Sequence, residues 1–182
     1  MKNSVKKVMH YTIVEMMMVI AVFMIILAMA VVAWGNGSSQ TRLNTAARLV
    51  STQLSLARTK AITERKNVGV FFSGKSSSNV KEQYAMVVCN DGNKDEILQG
   101  CDWEQLPGGI VFSTNKPSET SAATAAAPSA IIYTRNGSLK GSDTEFYLAA
   151  GDQAAGKVNK NVPYYTVKIN PFTGRCVLTY HE

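Results

Sequence analysis

The pattern of apolar and polar positions changes twice along this chain. From Met16 to Trp34 nineteen consecutive residues carry no charge. From Thr41 to Lys66 the apolar positions Leu43, Ala47, Val50, Leu54, Ala57 and Ala61 recur at alternating spacings of four and three. That is one stripe of an amphipathic helix, and it needs a sheet or a second helix to cover it. Beyond Asn67 the period shortens to that of strands bounded by turn residues: 68–72, 84–89, 110–112, 130–134, 145–149, 164–170 and 175–180. The turns are explicit in PGG at 107–109, RNGS at 135–138 and PFTG at 171–174, the last predicting a hairpin between the two final strands. Two polar stretches, 73–79 and 114–129, read as mobile loops.

The first pattern is long enough to cross a bilayer as a helix and longer than the apolar part of an ordinary secretory signal. Lys2, Lys6 and Lys7 precede it, with no acidic residue in positions 1 to 10, so the positive-inside rule keeps the N-terminus cytoplasmic and sends the remainder across the membrane. The expected fold class is α+β: a long N-terminal transmembrane helix continuing into a small globular domain of antiparallel β-sheet. The expected divisions are a leader at 1–10, a membrane helix at 11–34, a hinge (GNGSSQ) with the amphipathic helix at 35–66, and a β-rich extracytoplasmic domain at 67–182.

Charge and chemistry refine this picture. The 182 residues carry a formal net charge of +6, which falls to +3 without the three leader lysines. That balance is far from the clustered basic footprint of a dedicated nucleic-acid binder. The histidines, His10 and His181, stand at the two ends of the chain, so no Ser/His/Asp or Cys/His constellation assembles, and no GxSxG, HExxH or P-loop spacing is present. The chain does not read as an enzyme. Cys89, Cys101 and Cys176 lie on the oxidising side without CxxC spacing, which predicts one disulfide, Cys89 to Cys101, closing a hairpin-like loop, with Cys176 left over. In that loop and just after it, Asp91, Asn93, Asp95 and Asp102 match part of a calcium-loop pattern, but Glu96 stands where the pattern requires glycine. A plain acidic turn is the favoured reading, with calcium as the alternative and no other cofactor expected.

Glu15, four residues into the apolar segment, has two readings on sequence physics alone: a charge snorkelling to the interface, or a functional carboxylate. The stretch YTIVEMMMVIAVFMIILAMA after a lysine-bearing leader resembles the class III signal of type IV pilin-like proteins. The stretches LNTAARLVSTQLSLARTKAITERKNVGVFF, GGIVFS, IIYTRNGSL and TVKINPFTGRCVLTY resemble the GspH/FimT group, the H-type pseudopilins of type II secretion and related minor pilins. The resemblance implies cleavage between His10 and Tyr11 by a prepilin peptidase, N-methylation of Tyr11, and a role for Glu15 in assembly. It implies other pilins or pseudopilins and an inner-membrane assembly platform as partners, with the chain single-pass in the inner membrane. The implied function is that of a minor subunit that joins or caps a type II secretion pseudopilus or a type IV pilus. His10 stands where the family carries glycine, so one alternative is an uncleaved anchor bearing an extracytoplasmic domain. The other is a DNA-uptake minor pilin. Some relatives bind DNA through a glycine-arginine-x-arginine motif, and here GRCV retains Arg175, with Lys168 nearby in the chain, while Val177 replaces the second arginine. A turn glycine followed by a solvated strand arginine is the favoured reading of that site.

Overall fold

A computed structural model describes residues 12–35, 39–75, 80–117, 124–141 and 144–182, with the side chains of 28–35 excepted. The chain divides into two compact units, Met1–Gly37 and Ser38–Glu182.

The first unit is helix α1 (Ile13–Gly35). Thr12 caps it: its carbonyl accepts from the Met16 amide and its Oγ1 accepts from the Glu15 amide, both at 3.2 Å. The described side chains, as far as Leu27, are all exposed, so apolar groups such as Ile13, Phe23 and Leu27 point outward on every side of the helix. Among the described residues no helix is long and apolar enough to cross a membrane. The helix is therefore where the sequence placed it, but the transmembrane part of the expectation is not shown.

The second unit starts with α2 (Ser39–Glu64), which ends where Arg65 turns to a positive φ of 54° and leaves the helical path. The predicted stripe is its buried face: Leu43, Ala47, Val50, Leu54, Ala57 and Ala61 are all inside, joined by Ala46. Among the described residues nine strands follow: β1 (Val68–Ser73), β2 (Ala85–Asn90), β3 (Glu104–Gln105), β4 (Ile110–Ser113), β5 (Ile131–Tyr133), β6 (Thr144–Asp152), β7 (Lys157–Val158), β8 (Tyr164–Ile169) and β9 (Cys176–His181). They form two antiparallel sheets. One has the order β3-β2-β1-β5; the other has the order β4-β6-β8-β9, with β7 paired to β6.

Strand alternation decides what each sheet buries. Val68, Val70, Phe72, Met86 and Val88 of the first sheet, and Ile110, Phe112, Phe146, Leu148, Val167 and Ile169 of the second, share one core with the α2 stripe. The sheets meet through three rings. Phe72 lies 5.4 Å, centroid to centroid, from both Phe112 and Phe146, and these two are 6.3 Å apart.

The predicted terminal hairpin forms, with Tyr164 opposite His181 and Ile169 opposite Cys176. Asn170 sets its turn by accepting the amides of Phe172 and Thr173 on its side-chain oxygen, at 3.0 Å each. The loop expected over 114–129 is less free than its composition suggested. Ala126 donates to the Phe112 carbonyl at 3.1 Å, Ala125 donates to the Gly156 carbonyl at 3.0 Å, and Thr124 bridges to Lys157. Those backbone bonds tie its C-terminal part to the second sheet.

Candidate assembly surfaces

Glu15 stands exposed in the first turn of α1 and is the only charged residue of that helix. Thr12 and Glu15 have the spacing of a capping box, in which a threonine side chain receives the amide three residues on and a glutamate reaches back to the threonine amide. The first half of that box is present at 3.2 Å. The signal T-x-x-E was available in the sequence, and the half of it that the structure shows is the threonine cap on the Glu15 amide. His10 and Tyr11, the expected processing site, lie outside the described residues.

The expected disulfide is corrected. All three cysteines are free thiols. Counting residues along the chain put Cys89 beside Cys101, but strand alternation turns the Cys89 thiol away from the core that Cys101 packs against. Cys89 shares parity with Ala85 and Val87, buried residues that stand outside the common core, and its Sγ donates to the Gly69 carbonyl at 3.6 Å. Cys101 packs against the core. Burial pushes the Cys89 thiol up to about 11, outweighing two favourable backbone contacts, and burial likewise pushes Cys176 up to about 11.

A pH dependence follows for Cys89. The folded chain holds this proton more tightly than the unfolded chain, whose thiol has its ordinary value of 9.0. Its contribution to stability is therefore complete below that value and is lost as pH rises towards about 11. The loss amounts to about 2 kcal/mol at the upper end. Thermal unfolding measured from neutral pH into this alkaline window should show a steeper fall for the parent chain than for Cys89→Ala. Parallel curves would show that Cys89 does not carry the effect.

The residues of the calcium alternative make local contacts. Among the described residues no group of three or more His, Cys, Asp or Glu side chains comes together in a way that could hold a metal ion. Asp91 faces Lys140 at 3.4 Å, Asn93 Oδ1 accepts the Asp95 amide at 3.3 Å, and Asp102 Oδ1 accepts the Trp103 amide at 3.0 Å. The acidic stretch is a turn: Asp91 and Gly92 both have positive φ, 46° and 76°, and Asn93 donates back to the Asn90 carbonyl at 2.9 Å. That is type I′ geometry, which Asp-Gly favours.

Arg175 and Lys168 line different grooves. Lys168 belongs to the face of the second sheet that carries Tyr147, Thr166 and His181, with Glu145 opposite it in register and Tyr164 stacked on His181 at 4.7 Å. Arg175 sits at the turn into β9, beside Arg58 of α2 and Tyr133.

An amphipathic helix laid across two small antiparallel sheets, preceded by a separate apolar helix, is the α+β arrangement of a pilin-like subunit. A comparison of solved structures agrees on the fold: the chain superposes on the type IV minor pilin FimU of Pseudomonas aeruginosa with a TM-score of 0.50 at 15% identity, over 77% of this chain and 90% of that one. A second crystal form of the same pilin gives a TM-score of 0.46 at 16% identity, over 75% and 92%. No curated protein matches. Residues 46–171, more than half of the chain, match the family described as type II transport protein GspH. The chain belongs to the GspH family, whose members are pilin-like structural proteins rather than enzymes.

Proposed function

We propose that the chain is a minor pilin-like subunit that enters a filament or its base complex through α1, with Glu15 pairing with the N-terminal amine of a neighbouring subunit. The observation that carries this reading is α1 itself: a helix whose described apolar side chains, from Ile13 to Leu27, are exposed on all sides, with a single charge at its start. Such a surface requires a cover of lipid or other helices. Apolar packing alone permits many registers between parallel helices, and a charge selects among them. An unpaired carboxylate drawn into lipid costs about 2.5 to 3.5 kcal/mol on insertion scales, so the register that supplies an amine is preferred. In this reading the leader lysines hold the N-terminus in the cytoplasm, and prepilin peptidase frees the amine of Tyr11 after His10. The partners are other pilins or pseudopilins and the inner-membrane platform on which they assemble.

The capping box makes the test sharper. A capping box accepts glutamine or glutamate at this position, so Glu15→Gln keeps the T-x-x-E/Q spacing and the side-chain size and removes the charge. Thr12→Ala removes the cap and keeps the charge. The expected result, in cells carrying the full chain and the rest of the machine, is normal insertion and leader removal for both variants. Incorporation into crosslinked assemblies should fall by about tenfold for Glu15→Gln and Glu15→Leu and stay near normal for Thr12→Ala. Normal incorporation of Glu15→Leu would reduce Glu15 to a tolerated charge at the helix start.

A further inference from the structure

We propose that the free edge of β9 accepts an extended acidic segment of a heterologous protein partner, which adds a strand to the second sheet above α2. This proposal concerns the second unit and does not depend on the role given to Glu15.

β9 is the last strand in its sheet and, among the described residues, pairs only with β8. The Asn170 amide donates to the Arg175 carbonyl at 3.0 Å, which makes that pair a hydrogen-bonded one. Bonding type alternates along an antiparallel ladder, so Val177, Thr179 and His181 face β8 with their backbone groups. Cys176, Leu178 and Tyr180 direct their N–H and C=O groups to the open side. Sheet edges are usually blunted by lysine, proline or a bulge. The strand CVLTYH contains no charged residue and no proline, and its register with β8 runs unbroken over six pairs.

The other edges are closed or short. β3 has two residues, β5 is met by the 138–140 segment through Tyr133↔Leu139 and the Lys140 amide bonded to the Ile132 carbonyl, and β4 receives Ala126. Beside β9 lies a groove of about 610 Å³, floored by Ser51, Ser55 and Thr59 of α2 and walled by Leu56 and Leu178. It continues through Ser55 and Thr59 into a second groove of about 190 Å³ at the Arg175 turn. Small hydroxyl side chains on the helix leave room for another backbone at this position.

Charge identifies the occupant. Arg48 stands at one end of the trough and Arg58 and Arg175 at the other, and among the described residues no acidic side chain lines either groove. Ten helical residues from Arg48 to Arg58 span about 15 Å, which four to five residues of strand cover at about 3.3 Å each. Side chains on one face of a strand are separated by even steps, so the fitting segment carries carboxylates four residues apart with a small apolar residue between them, over Leu56 and Leu178. A second copy of this chain is the wrong partner: pairing β9 with β9 brings the arginines of one trough beside those of the other.

The probe is a blocked, fluorescein-labelled peptide, Thr-Glu-Thr-Val-Thr-Glu-Thr, titrated into the full chain in detergent micelles and read by anisotropy. Saturable binding is expected, about tenfold weaker for the doubly substituted Arg48→Glu, Arg175→Glu chain and lost when alternate peptide nitrogens are methylated. Arg58 is left intact because its Nε donates to the Gly137 carbonyl at 3.2 Å. A peptide with lysines in place of the glutamates should bind the substituted chain and not the parent, which also shows that the substituted chain folds. Amide exchange at Leu178 and Tyr180 should slow by about tenfold on binding. The proposal is overturned by absence of saturable binding, by equal binding of the lysine peptide to the parent chain, or by unchanged exchange at those two amides. It is equally overturned by dimerisation through β9, or by displacement of the peptide from the trough by a short DNA duplex at physiological salt.

Discussion

Phe112→Ala is expected to destabilise the second unit by about 3 to 5 kcal/mol, the range for truncating a fully buried phenylalanine that its surroundings cannot replace. Phe112 is fully buried, and its ring meets Phe72 of the first sheet and Phe146 of its own sheet. Removing it leaves a void where the two sheets join and deletes two edge-on ring contacts. Collapse is restricted because β4 is held on both sides, by β6 along Ile110 to Ser113 and by the Ala126 amide at Phe112 itself. Urea unfolding of the detergent-solubilised full chain, followed by near-ultraviolet circular dichroism, measures the effect. A loss below about 1 kcal/mol would mean that the ring trio is not what joins the sheets.

Much of this architecture was legible because each element repeats one simple period. The α2 stripe could be read because six positions share a single face, and all six are buried. Each of the seven predicted strands appears, and PFTG carries the expected hairpin between β8 and β9. β3 and β7 were not legible: each has two residues, too few to show alternation, and each exists because a neighbouring strand offers its edge. The disulfide was misread for a related reason. Separation along the chain suggested proximity, while the parity of Cys89 within β2 turns its thiol away from the core that Cys101 packs against. The trough beside β9 depends on a tertiary fact, that the hydroxyl face of α2 lies under the open edge of the last strand, and no local pattern around Arg48 or Arg175 announces it.

The second large effect is expected at Gly174, where a methyl group has neither the conformation nor the space it needs. Gly174 has φ of 63°, so alanine pays about 1 kcal/mol for the left-handed backbone alone. A Cβ there would also run into the Gly137 carbonyl oxygen, with Tyr133 Cε1 at 3.1 Å and Arg58 Nε at 3.2 Å. That oxygen cannot simply retreat, because it accepts the Arg58 Nε–H, and the Gly137 amide is itself bonded to the Thr134 carbonyl at 2.8 Å. Overpacking against fixed backbone adds about 2 kcal/mol, for a total near 3. Gly100→Ala supplies the control: its φ is 78°, but nothing lies within 4 Å of the added methyl, so only the conformational part should appear. Urea midpoints for the two variants therefore separate strain from collision, and equal losses would remove the collision from the account. Because Gly174 immediately precedes Arg175 and Cys176, the same substitution should displace the start of β9 and weaken capture of the acidic peptide even under conditions where the domain remains folded.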